Sequence, residues 1–476
     1  MRVLSRFQQN YFCIPRGGSK CVAGDTLLFT EQGVIEIGEL LNYSKVEDDF
    51  EKIHKINIKN RYGLMETSMA GISSGFKPTK KIKTKAGYEL EASLNHPILI
   101  LNTKGELEYK RADELKIGDY IPISRNNNVF GDNTEIKVDM KSFLKTFSNQ
   151  GRWQIEKNIC KLPDKLTEEF ALIIGYLLGD GCLTRNNMIM FTNKDEDILH
   201  NYFNFFKKLN IKIKKKDKYD YIINGKYIRE FFRQIGLEQK NAFNKEIPKL
   251  IMKAPKNIVA KTLQGLFDTD GCVTEKSVEL CTASEKMSKQ IQILLLNFGI
   301  ISYRAKHYNE KFKTHHYKIT ISSKNIDIYN KEIGFSCKRK QEKLDKICNK
   351  KRNPNIDVIP FQKERINAIQ PKGKTRDKFY HVLKGNNELT YEKCSLILND
   401  KERFENLNSK EYEELLELYD CNYFYTQITE IIDSENYVYD LYMPITNSFV
   451  SNGFISHNTL TQIMVVYHTA ICYPNI

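Results

Sequence analysis

No two cysteines in this chain stand in a C-x-x-C arrangement, so neither a zinc cluster nor a disulfide framework is indicated. The 11 cysteines are odd in number and scattered. That usage fits free thiols in a reducing, intracellular and cytoplasmic setting. No charged segment followed by an apolar core opens the chain, so no secretion signal is expected. The apolar run from Ile463 to Tyr467 is too short to span a bilayer, and no membrane partner is expected. The chain does hold apolar residues, 41% of 476, enough for real cores in two or three domains. Its Phe and Tyr content argues against disorder. A net charge of +14 and an isoelectric point near 9.0 favour a polyanionic partner. A solvated lysine-rich surface would give the same numbers, so charge alone decides nothing.

Residues 21 to about 123 read as short strands around Gly-containing turns, as at 26–29 and 34–37, and again at 81–84 and 88–91. Strand-like text returns at 437–442 and 448–450. Residues 21–125 and 423–458 are therefore read as two parts of one all-β module, split by a large insertion. Residues 1–20 and 459–476 flank it. Within the insertion, 126–164 is a polar connector, 165–345 an α/β unit and 346–422 a helical region with Thr390 as a candidate cap. The α/β unit repeats internally. Gly179-Asp180-Gly181-Cys182-Leu183-Thr184 recurs as Thr269-Asp270-Gly271-Cys272-Val273-Thr274, and Thr192 and Thr282 keep the same offset. Helical patterns follow each copy, at 195–209 and 285–298. A monomer with internal pseudo-two-fold symmetry is expected.

The reactive residues stand at the edges of the split module. Cys21 opens it, and His457-Asn458, followed at once by Thr459, closes it. A cysteine there can attack the carbonyl of Lys20 and convert an amide to a thioester. That step needs an acid or base and support for the oxyanion. Singly, each of these residues has an ordinary explanation: a lone cysteine, a common dipeptide, a turn histidine before Pro97. Together, in order and at the module edges, they resemble an intein of the Hint fold over residues 21 to about 123 and about 423 to 458.

The resemblance implies that Cys21 is the first and Asn458 the last residue excised. Ser93-Leu94-Asn95-His96 fits the family's T-x-x-H pattern, with Ser93 replacing threonine. His96 would then lie beside the scissile amide and protonate its departing nitrogen. The Thr459 hydroxyl would take over the upstream segment, Asn458 would cyclise with help from His457, and Asp440 would coordinate the steps. Many inteins carry a histidine in the pattern H-x-F, where this chain has Asn447 before Phe449. Splicing implies no cofactor.

Residues 173–181 and 263–271 resemble the paired motifs of LAGLIDADG homing endonucleases. Gly175 and Gly179 are four apart on one helical face, as are Gly265 and Thr269, so two helices can pack closely. Close packing brings Asp180 and Asp270 together at helix C-termini, where carboxylates repel each other and the dipoles. A divalent cation relieves this, and Mg²⁺ suits oxygen ligands. The expected metal set is Asp180 and Asp270 with Gly179 and Thr269. Lys245, in Lys245-Glu246-Ile247-Pro248, matches the family's K-x-I-P block near the scissile phosphate, and Lys340 is its expected counterpart. Double-stranded DNA is the implied partner, with Lys214, Lys216, Arg304, Lys306 and Lys318 as phosphate contacts. The region 346–422 is expected to touch flanking DNA.

Joining the flanks gives Ile14-Pro15-Arg16-Gly17-Gly18-Ser19-Lys20-Thr459-Leu460, which resembles a P-loop of the terminase type. The expected fold is multidomain: an all-β Hint splicing module, split by an α/β pseudo-two-fold LAGLIDADG domain and a small helical region. The expected activity is excision of 21–458 with ligation of the flanking host segments, plus Mg²⁺-dependent cutting of the intein-free host gene. Two alternatives are a splicing-only element with a decayed nuclease and a non-splicing fragment of a P-loop, terminase-like ATPase.

Overall fold

The computed structural model describes residues 20–458 except 52–54, 126, 157–160, 184–187, 238–240, 312, 349, 351–356 and 400. These residues form two compact units. One holds 20–31, 35–127 and 353–458; the other holds 32–34 and 128–352. Among the described residues no cysteine forms a disulfide, and no helix is long and apolar enough to cross a membrane.

The first unit is built on a large, mainly antiparallel sheet. Its spine is a pair of long strands from opposite ends of the sequence, Ala70–Thr84 and Phe424–Tyr442. Where they enter the core they bury Ile72, Val438 and Leu441; where they run outward, lysines meet acids across the strands, as in Lys80–Asp433 at 2.5 Å. Val22 pairs with both Tyr439 and Ala92, so Cys21 starts between the long Phe424–Tyr442 strand and Glu89–Ser93. Pro97–Leu101 is buried along its whole length and pairs with Leu107–Arg111. The last hairpin, Ser448–Ser451 with Phe454–His457, turns at Asn452-Gly453. Both turn residues have positive φ, 49° and 87°, the geometry that Asn-Gly favours between twisted strands. Ser456 opposite Ile98 then docks this hairpin on the buried strand.

The helices Lys363–Ile369, Gly373–Leu383, Tyr391–Asn399 and Lys410–Cys421 belong to this same unit. Thr390 caps the third, its Oγ1 accepting from the Lys393 amide at 3.1 Å. Arg365 donates to the carbonyl oxygen of Gly105 at 2.8 Å and to Glu414. Arg125 grips Asp357 with two bonds, 2.8 and 2.9 Å.

In the second unit the repeat is plain in the topology. Helix Glu168–Asp180 leads into a sheet ordered Gly181–Cys182, Met188–Thr192, Asp220–Asn224, Lys214–Lys215. Helix Lys256–Asp270 leads into Gly271–Val273, Ser277–Thr282, Thr314–Ser322, Ser302–Asn309. The helices read at 195–209 and 285–298 span Glu196–Lys208 and Glu285–Asn297. The stretch read as a polar connector carries two short helices, Met140–Lys145 and Asn149–Glu156.

Candidate active sites

At the first junction every polar atom of the Lys20–Cys21 peptide is held. His96 Nδ1 lies 2.8 Å from the carbonyl oxygen of Lys20, and the Cys21 amide donates to Ser93 Oγ at 3.0 Å. Ser93 in turn donates its amide to the Cys21 carbonyl at 2.9 Å and its hydroxyl to Asn95 Oδ1 at 3.1 Å. His96 was expected beside the scissile amide as the acid for its departing nitrogen; its resting contact there is to the carbonyl oxygen, while Ser93 holds the N–H. The reason is local. Ser93 pairs with Cys21 through the backbone, so its hydroxyl takes the N–H, and the turn that bonds the His96 amide to the Ser93 carbonyl carries the imidazole one atom further.

His96 is fully buried, and burial pulls its pKa down to about 4, with His457 and Lys20 adding to the effect and the Lys20 carbonyl opposing it. The ring is therefore neutral near pH 7, and Nδ1 must carry the proton to donate to the Lys20 oxygen. Nε2 finds no partner among the described residues. A neutral donor on that oxygen polarises the carbonyl and is placed to hold an oxyanion.

Asp440 stands 2% exposed beside this junction, and burial holds its carboxyl well above the usual range. Its Oδ1 accepts from the Leu441 amide at 2.8 Å. A protonated acid in this place has nearly the shape and bonding of asparagine. Asp440→Asn is therefore expected to cost less than about 1 kcal/mol of stability at pH 7. Chemical denaturation measures this; a loss above about 3 kcal/mol would mark an ionised, paired carboxylate instead.

At the second junction Asn458 is fully buried. Its Nδ2 donates to the carbonyl oxygen of Leu441 at 2.6 Å, and its amide donates to the carbonyl oxygen of Asn447 at 2.9 Å. Asn447 makes that contact from a left-handed backbone, φ 51°. The residue standing where many inteins carry histidine thus meets the Asn458 amide with its main-chain carbonyl. His457 is half-buried, its ring edge-on to Tyr109 with centroids 4.8 Å apart, and the Arg61 guanidinium lies over the same tyrosine. Burial, then Lys20, lowers the His457 pKa. His457 Nδ1 and Asn458 Oδ1 are buried without a partner among the described residues. Leu441 connects the two acting groups: its N–H binds the Asp440 carboxyl and its C=O binds the Asn458 amide. Thr459 and the P-loop-like flanks lie outside the described residues.

In the second unit Gly175 and Gly265 bring the two central helices into backbone contact. A Cβ on Gly175 would stand 2.9 Å from the Gly265 Cα, and one on Gly179 would stand 3.4 Å from the Asp270 carboxyl carbon. Asp270 is pushed up to about 6, by burial first and then by Asp180, against the pull of Lys245. Asp180 is also raised by burial, but Asn193 Nδ2 donates to it at 2.7 Å and offsets part of the rise. The offset-90 partner of Asn193 is Ala283, so the two acids are not equivalent. Lys245 Nζ donates to the carbonyl oxygens of Leu178 and Gly179, at 2.6 and 2.7 Å. Lys340 does the same for the other helix, through Phe267, Asp268 and Gly271. Each lysine thus caps the helix end of its own repeat. Two half-buried carboxylates that repel each other suit a hard divalent cation. Gly179 and Thr269, expected as further ligands, already make hydrogen bonds that leave lone pairs on both oxygens. The Gly179 carbonyl accepts from Lys245, and the Thr269 hydroxyl donates back to Gly265 and Leu266.

A family model of the intein splicing domain matches residues 27–458. The chain belongs to the intein splicing family. Among curated proteins, this intein is 32% identical over 435 residues to the replication factor C small subunit of Methanocaldococcus jannaschii, covering 85% of the chain and 21% of that protein. It is 26% identical to the replicative DNA helicase DnaB of Synechocystis sp., covering 96% of the chain and 52% of the helicase. The intein spans about a fifth to about a half of the length of such relatives. Among solved structures, I-DmoI in complex with DNA and Mn aligns at 16% identity and a TM-score of 0.28, covering 35% of this chain and 97% of that one. The TvoVMA intein aligns at 20% identity and a TM-score of 0.18, covering 23% and 72%.

Several residues that the structure places at these sites carried no sequence signal. Tyr109, Arg61, Asn193 and the carbonyls of Leu441 and Asn447 arrive by long-range strand pairing, which leaves no mark in local text. The basic residues divide by strand parity. Arg304, expected on DNA, is 5% exposed on the helix-covered face of its sheet, opposite Ile319, with Nη1 3.4 Å from Ser288 Oγ. Lys306 shares that parity but is exposed. Lys318 lies on the other face, paired with Glu279 at 2.7 Å. Lys214 and Lys216 are exposed in the first repeat.

Proposed function

We propose that the chain excises its own residues 21–458 and joins residues 1–20 to the segment that begins at Thr459. The observation that carries this reading is the clamped Lys20–Cys21 peptide, with His96 Nδ1 on the carbonyl oxygen and Ser93 on the N–H. The Cys21 sulphur adds to the Lys20 carbonyl carbon. The C–N bond breaks, and the thiol proton ends on the Cys21 nitrogen, leaving a thioester. Thr459 Oγ then displaces that sulphur. Asn458 Nδ2, seated on the Leu441 carbonyl, attacks its own carbonyl carbon and releases the Thr459 nitrogen, which takes the acyl group from its own oxygen. The sequence needs no cofactor and needs Cys21 reduced, which fits a reducing cytoplasm.

Intact mass on freshly made chain tests this. The expected products are free 21–458 and the ligated flanks, with neither seen for Cys21→Ala together with Asn458→Ala. An unchanged mass in the parent chain would sink the reading.

The second unit is proposed to cut double-stranded DNA carrying the uninterrupted host sequence, with Mg²⁺ as the expected metal. Support comes from the paired acids, the helix-end lysines and the duplicated sheets, which let one chain present two half-sites. Asp180 and Asp270 would hold the ion, which supplies charge neutralisation at the phosphate. Asp180→Asn and Asp270→Asn should each abolish cutting and leave DNA retardation on a gel intact. The host is proposed to be a P-loop protein of terminase type, on the strength of the Lys20–Thr459 junction.

A further inference from the structure

We propose that Ser74 is a catalytic residue at the first junction, its hydroxyl supporting the Cys21 sulphur as that sulphur becomes the nucleophile. The proposal rests on the splicing reading above. Ser74 Oγ lies 3.1 Å from Cys21 Sγ, and both residues are buried, at 2% and 0% exposure.

The backbone aims Ser74 there. In the long antiparallel pair, Phe76 faces Tyr437 and Ser73 faces Tyr439, so Ser74 and Gly75 together oppose the single residue Val438. This is a β-bulge, a device that re-aims one side chain beside a site. Gly75 permits it: its φ is +72°, and a Cβ there would also press on Glu47 at 3.1 Å. Residues 70–75 are all buried, and at the bulge the neighbours Ser73 and Ser74 take different partners. Ser73 gives its hydroxyl to the Ser44 carbonyl at 3.0 Å, and Ser74 turns to the sulphur.

The chemistry calls for such a group. The thiolate is the reactive form, and a buried thiolate without a donor is costly. A serine hydroxyl can accept from the resting S–H and donate to the sulphur as the proton leaves. The new S–C bond forms to Lys20, the Lys20–Cys21 bond breaks, and the proton finishes on the Cys21 nitrogen. No oxidant or co-reactant is required.

The test uses the full chain with Asn458→Ala and Thr459→Ala, so that only the thioester step remains, read as cleavage by added dithiothreitol. Ser74→Ala should slow this cleavage about ten-fold or more and move its rate–pH profile to higher pH. In a Cys21→Ala chain, Asn458-dependent release at the second junction should proceed at the same rate with and without the added Ser74→Ala change. An unchanged rate and pH profile in Ser74→Ala would overturn the proposal, as would equal slowing at both junctions, which marks a fold effect. Absence of Cys21-dependent cleavage in the parent would strike the splicing reading itself.

Discussion

Replacing His96 with alanine is expected to slow cleavage at the Lys20–Cys21 bond by about a hundred-fold or more, the usual loss when one oxyanion donor is removed. The geometry makes the effect large. Nδ1 stands 2.8 Å from the oxygen that turns negative when sulphur adds, and the site is buried, so no solvent molecule substitutes without reorganisation. The neutral ring gives a second observable. His96 titrates near 4 when folded and near 6.5 when free. Between those values the unfolded chain binds a proton that the folded chain refuses. Stability is therefore expected to fall as pH drops from about 6.5 to about 4, by on the order of 3 kcal/mol from this residue. His96→Gln should flatten that part of the stability–pH curve. Denaturation midpoints across the window, beside thiol-induced cleavage rates, check both parts. An unchanged cleavage rate in His96→Ala would remove the residue from the mechanism.

Gly175→Val should break the second unit. A Cβ at Gly175 would lie 2.2 Å from the carbonyl oxygen of Thr262, 2.8 Å from the Leu266 nitrogen and 2.9 Å from the Gly265 Cα. All three are backbone atoms, so no side-chain rotation relieves the clash and the helices must separate. Gly265 meets the same limit from the other side, where an added Cβ would lie 2.3 Å from the Leu172 oxygen. The expected cost is about 3 kcal/mol or more. Separation also moves Asp180 from Asp270, so DNA cutting should vanish with the stability. Calorimetry of the whole chain should show an early transition; an unchanged unfolding profile would disprove the contact.

The sequence read most clearly where structure is local. The helix anticipated at 285–298 is present over Glu285–Asn297, because its apolar spacing and the Ser284 cap lie within a few residues of one another. The duplicated acids were legible from the repeat, and the helix-end lysines from the resemblance of Lys245-Glu246-Ile247-Pro248 to a family block. The long ribbon was not. Its pieces at 81–84 and 437–442 read as short strands, but the joining text around Lys77 and Lys80, which pair with Glu47 and Asp433, looks like solvated loop. Ser74 was hidden for the same reason, since a bulge is defined by a partner strand far away in the sequence. Arg304 shows the converse error. A basic cluster was read without strand parity, and parity puts that residue under the helix.

The Arg125–Asp357 clasp has a consequence for the size of the intervening segment. It closes the chain just where the first unit breaks off and resumes, so for that unit a separation of 232 residues amounts to one loop with tied ends. The closure cost of a loop rises only by about 0.6 kcal/mol for each doubling of length. The reaction centre is therefore nearly indifferent to how much chain lies beyond the clasp. An insertion twice or half as long would leave the first unit's closure cost almost unchanged.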